Sequence, residues 1–214
     1  MGRVGTRVRL VAFDLDGTLT RGDTVCEAIA RRIGRLERMR EIERLTPLPD
    51  PRAAREEMAS WYRARPQHEI LDALTDVRLA PRAEEGVRKL REAGVVVAIV
   101  SITWLFAVER FAARLGVVHC AGTKMVDDGR IEHFFAPDKP RWVSGLAARL
   151  GIAPDQVAGV GDSTGDIPLL QAVGHPFFVG ERLPLQLAAA AHRPAADIAE
   201  LAEEILALGK DGTC

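Results

Sequence analysis

The chain is short of cysteine and lysine, and neither sign of charge is in excess. Its three cysteines, Cys26, Cys120 and Cys214, stand far apart in 214 residues. An odd, scattered set argues against a disulfide framework, and without a Cys-x-x-Cys spacing the usual zinc signature is missing. A reducing, cytoplasmic setting is the expectation. The 29 Lys+Arg nearly balance 30 Asp+Glu. This leaves no electrostatic footprint for nucleic acid and no polybasic arm for a membrane. No apolar run is long enough to cross a bilayer. The opening MGRVGTRVRLVAF runs straight into acids, so it reads as a first strand rather than a signal peptide. Repeats and low-complexity tracts are absent. The histidines at 68, 119, 133, 175 and 192 show no metal-ligand spacing. Lysine occurs only at Lys89, Lys124, Lys139 and Lys210. Arginine is the ordinary surface cation here, so each lysine is more informative than usual.

What is present is a chain that is 47% hydrophobic, enough for one substantial core with room for a small second domain. Short apolar runs at 7–13, 95–100, 157–160 and 176–179 are β-branched or aromatic and bounded by Gly, Pro or acids. They have the pattern of strands buried on both faces. Helical periodicity fills the intervals at 81–94, 103–116 and 140–151, with Pro at two starts and Gly at all three ends. Such alternation predicts an α/β fold. TKMVDDGRIEHF (123–134) carries Asp128-Gly129 between alternating residues and predicts a β-hairpin. Residues 21–80 break the alternation with helix after helix and no strand, the pattern of an inserted helical cap. The Ala-rich tail from Leu185 is expected to form peripheral helices.

The stretch VAFDLDGTLTRGD (11–23) ends a buried strand with two aspartates, Asp14 and Asp16. In open α/β sheets ligands bind beyond the carboxyl ends of the strands. Ser101 follows VVVAIV there, Lys139 precedes Pro140, and Asp162 and Asp166 follow VAGV in GDSTGD. Gathered on one edge, the carboxylates would repel one another unless a cation sat between them. An all-oxygen set suits Mg²⁺. A lysine, a serine hydroxyl and the free N–H groups of a helix start after Ser101 would hold an anion. Metal, anion grip and a spare carboxylate point to phosphoryl transfer. Each residue also has a plainer reading. Asp-x-Asp-Gly-Thr can be a turn, Ser101 and Asp162 helix caps, Asp166 a first-turn acid and Lys139 a solvated lysine.

DLDGT, the serine of AIVS, Lys139 and GDSTGD, in that order, resemble the haloacid dehalogenase superfamily. The helices after the first motif resemble its type-one cap, and DTVCEAIARRIG looks closest to the phosphoserine phosphatase branch. The resemblance implies a three-layer Rossmann-like parallel-sheet core (1–20 and 81–214) with an α-helical cap (21–80). It also implies a Mg²⁺-dependent phosphatase acting on a small phosphorylated metabolite. Asp14 would be the nucleophile and Asp16 the general acid and base. The metal set would be Asp14, the Asp16 carbonyl, Asp162 and Asp166, the last orienting the shell, and Ser101 and Lys139 would hold the phosphoryl group. Asp16 speaks against carbon–halogen chemistry, because the dehalogenase branch lacks it.

The chain departs from the branch near the leaving group. Ile102 and Thr103 stand where two glycines are usual, Asp23 where the cap offers a glutamate, and Gly165 where Asn is frequent. The arginine that would grip the substrate carboxylate is assigned to Arg55, in a stretch, LPDPRAAREEM, that departs from the branch's cap. These differences imply intact core chemistry with altered leaving-group recognition. Two alternatives are a phosphotransferase or mutase of the same superfamily and a non-catalytic phospholigand-binding protein. A monomer or homodimer is expected, with its hinges at TRGDT and VRLAPR.

Overall fold

The computed structural model describes residues 7–45, 50–127 and 129–208. In chain order, β1 (Leu10–Phe13) leads through a tight turn to β2 (Thr20–Arg21), followed by helices α1 (Val25–Arg32), α2 (Leu36–Arg44), α3 (Pro51–Arg63) and α4 (Gln67–Ala73). The chain returns through β3 (Arg78–Leu79) to α5 (Ala83–Glu92), β4 (Val96–Trp104), α6 (Leu105–Leu115), β5 (His119–Met125) and β6 (Ile131–Glu132). Then come α7 (Asp138–Arg149), β7 (Val157–Gly161), α8 (Ile167–Ala172), β8 (His175–Phe178), β9 (Ala191–His192) and α9 (Ile198–Ala207).

Among the described residues one sheet has seven strands, ordered β6-β5-β4-β1-β7-β8-β9, and only the β5–β6 pairing is antiparallel. β1 lies at its centre. Alternate β1 side chains feed two separate cores, as a period of two demands. Val11 and Phe13 join the cluster that holds Val87 and Leu90 of α5, Phe111 of α6 and Leu201 of α9. Leu10 and Ala12 face Val143 and Leu146 of α7 and Leu169 of α8. Helices therefore cover both faces, which is why the strands are apolar throughout rather than alternating.

The first of these cores continues without a break into the four inserted helices, through Ile29, Met39, Met58, Tyr62 and Ile70. Two short strands bound this block. β2 and β3 pair antiparallel, Thr20 with Leu79 and Arg21 with Arg78. The segment read as strandless thus opens and closes on a two-stranded ribbon.

Three further expectations need correction. β4 does not end at Val100 but runs on to Trp104, with an irregularity between Val100 and Trp104, and α6 starts at Leu105 rather than Thr103. The β-branched Ile102-Thr103 pair favours extended backbone, and Trp104 still pairs with Thr123 of β5. α7 begins at Asp138, so Lys139 and Pro140 lie inside its first turn, where proline's missing N–H does no harm. The tail is not helical throughout. Residues 185–187 make a short turn, 191–192 form edge strand β9, and α9 is no peripheral helix, since Ile198, Leu201, Ala202 and Ile205 are buried. Pro194 interrupts the Ala-rich run before α9 can start. The β5–β6 hairpin forms as its pattern suggests, with Gly129 at φ +87°; residue 128 of its turn lies outside the described residues.

Candidate active site

The sheet register assembles the site. Phe13 aligns with Ile99 of β4 and with Val160 of β7. The residues that follow, Asp14, Ser101 and Asp162, therefore emerge at the same carboxyl edge. The Asp14 N–H donates to the Val160 carbonyl at 2.9 Å, which ties the first motif to the last.

Lys139 completes the cluster from the first turn of α7. Its Nζ donates to Asp14 Oδ1 and to Asp166 Oδ1, both at 2.6 Å, and all three side chains are almost wholly buried. The plainer reading of Lys139 as a solvated cation is therefore excluded. The other oxygen of Asp166 accepts from the N–H groups of Asp162 and Ser163 and from Ser163 Oγ, each at 3.1 Å. With both oxygens engaged, Asp166 braces the turn that carries Asp162 and aims Lys139 at Asp14. Asp162 is positioned from the opposite side, where Thr18 Oγ1 donates to its Oδ1 at 2.8 Å. Gly17, at φ +78°, lets the loop press against this acid: a Cβ there would lie 2.2 Å from Asp162 Oδ2.

One ligand oxygen each from Asp14, Asp162 and Asp166 lies within 4.8 Å of the others. These hard, mostly buried oxygens fit a hard divalent cation. Electrostatics give the same indication. Burial raises the Asp14 carboxyl well above its usual range, Lys139 opposes the rise, and Asp166 and Asp162 reinforce it. Asp162 is pushed up to about 6 by burial and then by Asp166. Burial alone would lower the Lys139 ammonium, but Asp14 and Asp166 outweigh it and hold the proton more firmly than usual. A cation among the three acids would relieve this crowding.

Asp16 is separate from that cluster. Its Oδ1 accepts from the Val25 N–H at the start of α1, at 2.8 Å. Burial raises it to about 6, against the opposing pull of the Val25 N–H. A carboxyl tuned near neutrality can both give and take a proton.

The inserted helices close over this edge. Asp14 and Ser101 are only 5% and 2% exposed. Ser101 is buried but caps no helix, because its strand continues past it, and its Oγ accepts from Thr103 N–H at 3.4 Å. N–H groups facing a phosphoryl oxygen here would belong to extended backbone, not to a helix start. Ile102 reaches across the site edge: a Cβ added at Gly165 would sit 3.8 Å from Ile102 Cδ1. Arg55 of α3, 9% exposed, donates to the Ile102 carbonyl and stacks over the Trp104 ring at 5.4 Å. Asp23 is not drawn in, since it forms a partly exposed ion pair with Arg31. The more enclosed acid of the inserted helices is Glu43, bonded to Thr24 Oγ1 and raised to about 7 by burial and then by Glu27. Glu43 went unrecognised in the sequence because only the packing of α2 against α1 brings it there. Thr18, by contrast, lay in plain view within DLDGT.

A buried lysine strung between two aspartates at the carboxyl edge of a parallel sheet, under a helical insertion, defines an acid-cluster α/β protein. The chain belongs to the haloacid dehalogenase-like hydrolase family, whose model matches residues 11–171. Among curated proteins it is 28% identical over 178 residues to a phosphoserine phosphatase of Archaeoglobus fulgidus, covering 78% of this chain and 51% of that one. It is 29% identical over 188 residues to one of Albidiferax ferrireducens, covering 78% and 76%. The chain thus spans about half the length of the first relative and three quarters of the second. A solved phosphoserine phosphatase holding a phospho-aspartyl intermediate analogue superposes with TM-score 0.78 at 23% identity, over 93% of this chain and 99% of that one. A HAD family hydrolase of Salmonella enterica serovar Typhi gives 0.82 at 20% identity, over 94% and 72%. At these identities the structural likeness speaks for the fold.

Proposed function

We propose that the chain is a Mg²⁺-dependent phosphatase that hydrolyses a small phosphomonoester through an aspartyl-phosphate. The observation that carries this reading is the buried Asp14–Lys139–Asp166 bridge, with Asp162 close enough to share a cation. An Asp14 oxygen attacks phosphorus while the bond to the leaving oxygen breaks, and Asp16 gives that oxygen its proton. Asp16, now ionised, takes a proton from the water that attacks the aspartyl-phosphate. The phosphorus–Asp14 bond then breaks and phosphate leaves. Ser101 and Lys139 hold the phosphoryl oxygens. Asp14, the Asp16 carbonyl and Asp162 would hold Mg²⁺, which supplies charge neutralisation at the phosphoryl group. Asp166 orients that shell.

Residues 21–80 act as the cap and the remainder as the core. Arg55 is the cap's cation for an anionic group on the leaving alcohol, and the relatives' names make an amino-acid phosphate the first candidate. Ile102 narrows the space beside it. Asp23, paired with Arg31, is a weaker contributor than Glu43.

The test is phosphate release from a panel of phosphomonoesters, with and without Mg²⁺, beside Asp14→Asn. Mg²⁺-dependent release without any added acceptor, lowered at least ~10³-fold by the substitution, supports hydrolysis. Release that needs an acceptor alcohol would make the chain a phosphotransferase. No turnover above Asp14→Asn on any ester would leave a phospholigand-binding protein.

A further inference from the structure

Arg21 has no part in the chemistry above, yet its side chain is the most heavily committed of the arginines beside the site. Nη1 donates to the Gly17 carbonyl, to the Thr18 carbonyl at 2.6 Å and to the Thr20 carbonyl at 2.9 Å. Nη2 reaches the Ala196 carbonyl, just before α9, at 3.4 Å. One guanidinium thus gathers the loop after Asp14, strand β2 and a distant part of the core. The loop it holds is the one that presses on Asp162: Gly17 leaves no room for a Cβ against that carboxylate, and Thr18 donates to it. The loop is gripped by Arg21 through its carbonyls and abuts Asp162 through Gly17 and the Thr18 hydroxyl.

Arg21 is also the last residue of β2, the strand that leads into the inserted helices, and it pairs with Arg78 of the returning strand. The next residue, Gly22, has φ +89°, a conformation that favours glycine. The hydrogen-bonded part of the connection therefore ends at Arg21, and the chain turns one residue later, at Gly22.

We infer that Arg21 is a positioning residue that anchors the core end of the hinge, so that cap movement pivots beyond it and leaves Gly17, Thr18 and Asp162 undisturbed. The inference rests on the proposed metal-dependent reading of the site. Arg21 acts through backbone carbonyls and touches no reacting group.

Three variants test it: Arg21→Ala, Arg21→Met, which fills similar space without donors, and Arg21→Lys, which restores donors on a shorter stem. The primary readout is the Mg²⁺ midpoint for raising Tm, taken without substrate. Arg21→Ala and Arg21→Met are expected to weaken it about tenfold, as loss of an outer-shell partner does, with Arg21→Lys recovering most of the loss. Turnover should fall at limiting Mg²⁺ and recover in excess Mg²⁺, with KM little changed. Midpoints within about twofold of the parent in Arg21→Ala and Arg21→Met would overturn the inference even if Tm fell, because that is a purely structural role. So would an Arg21→Lys variant no better than Arg21→Met.

The parent chain provides a check that needs no variant. Amide hydrogen exchange should be slower at Thr18–Arg21 than at Gly22–Thr24, and the reverse order would refute the anchor. A parent that neither responds to Mg²⁺ nor turns over any ester, yet shows the expected exchange order, removes the functional reading and with it Arg21's role toward the metal.

Discussion

Two aspartates two positions apart in one loop receive different surroundings, and that difference is the basis of their proposed division of labour. Asp14 lies against Lys139 and within reach of Asp162 and Asp166, whereas Asp16 faces the inserted helices and the Val25 N–H. With its carboxyl near 6, Asp16 should be protonated below that pH and available as an acid. Turnover of alkyl phosphates should therefore decline as pH rises above about 6, while aryl phosphates, whose leaving groups need no proton, decline less. Asp16→Asn sharpens this contrast. We expect alkyl phosphate turnover to drop ~10²–10⁴-fold, and aryl phosphates to give a burst of phenol with trapped phosphoenzyme. Equal losses on both esters, without a burst, would contradict the assignment. At Gly17 the backbone has φ +78° and a Cβ would collide with Asp162. Gly17→Ala should thus cost roughly 1–3 kcal/mol in chemical unfolding and also weaken the Mg²⁺-induced rise in Tm.

At the scale of elements, α3 meets β4 beside the site. Arg55 and Tyr62 of α3 meet Ile102 and Trp104 of β4, and Tyr62 packs edge-on to Trp104 with ring centroids 5.5 Å apart. The Tyr62 hydroxyl is buried beside Trp104 and Cys26, with only weak polar contact to them among the described residues. Tyr62→Phe should therefore shift the urea midpoint little; a clear fall would mean that the hydroxyl contributes a full hydrogen bond in solution. This junction also shows why β4 outruns its apolar run. VVVAIV marks the strand's buried centre, but after an irregularity that follows Val100 the strand pairs with β5 again at Trp104. Periodicity in one segment carries no information about a neighbour's length. The Ala-rich tail failed for a related reason. Alanine favours helix intrinsically, yet Ala191 pairs with β8 instead.

On the scale of the whole molecule, the buried acids of the site make stability depend on pH in the direction opposite to the partly exposed, paired carboxylates Glu57, Glu85, Asp138 and Asp197, whose values are lowered. Asp14, Asp16 and Asp162 all have folded values above their unfolded ones. The native state therefore binds their protons more tightly than the unfolded chain does. For Asp16 and Asp162 the resulting destabilisation is complete above about 6 and is relieved as pH falls through 6 toward the unfolded values near 4, and Asp14 adds to it in the same direction. Free of metal, the protein should gain Tm on going from about pH 7.5 to about pH 5, and Mg²⁺ at the higher pH should produce a comparable gain. A metal-free Tm that falls over this interval would show that the acids are already compensated.

The amino-acid sequence by itself determined the parallel sheet, because strands covered on both faces must be apolar throughout. It also determined Asp14, Ser101, Lys139, Asp162 and Asp166 as candidates, because strand ends in such a sheet share one edge. Tertiary structure decided what each of these touches: that Lys139 bridges two acids, that Asp23 is held by Arg31 while Glu43 bonds to Thr24, and that Arg21 ties the loop after Asp14 to the residue before α9. Those contacts join residues up to 175 positions apart or depend on the packing angle of one helix on another. No pattern along the chain records either.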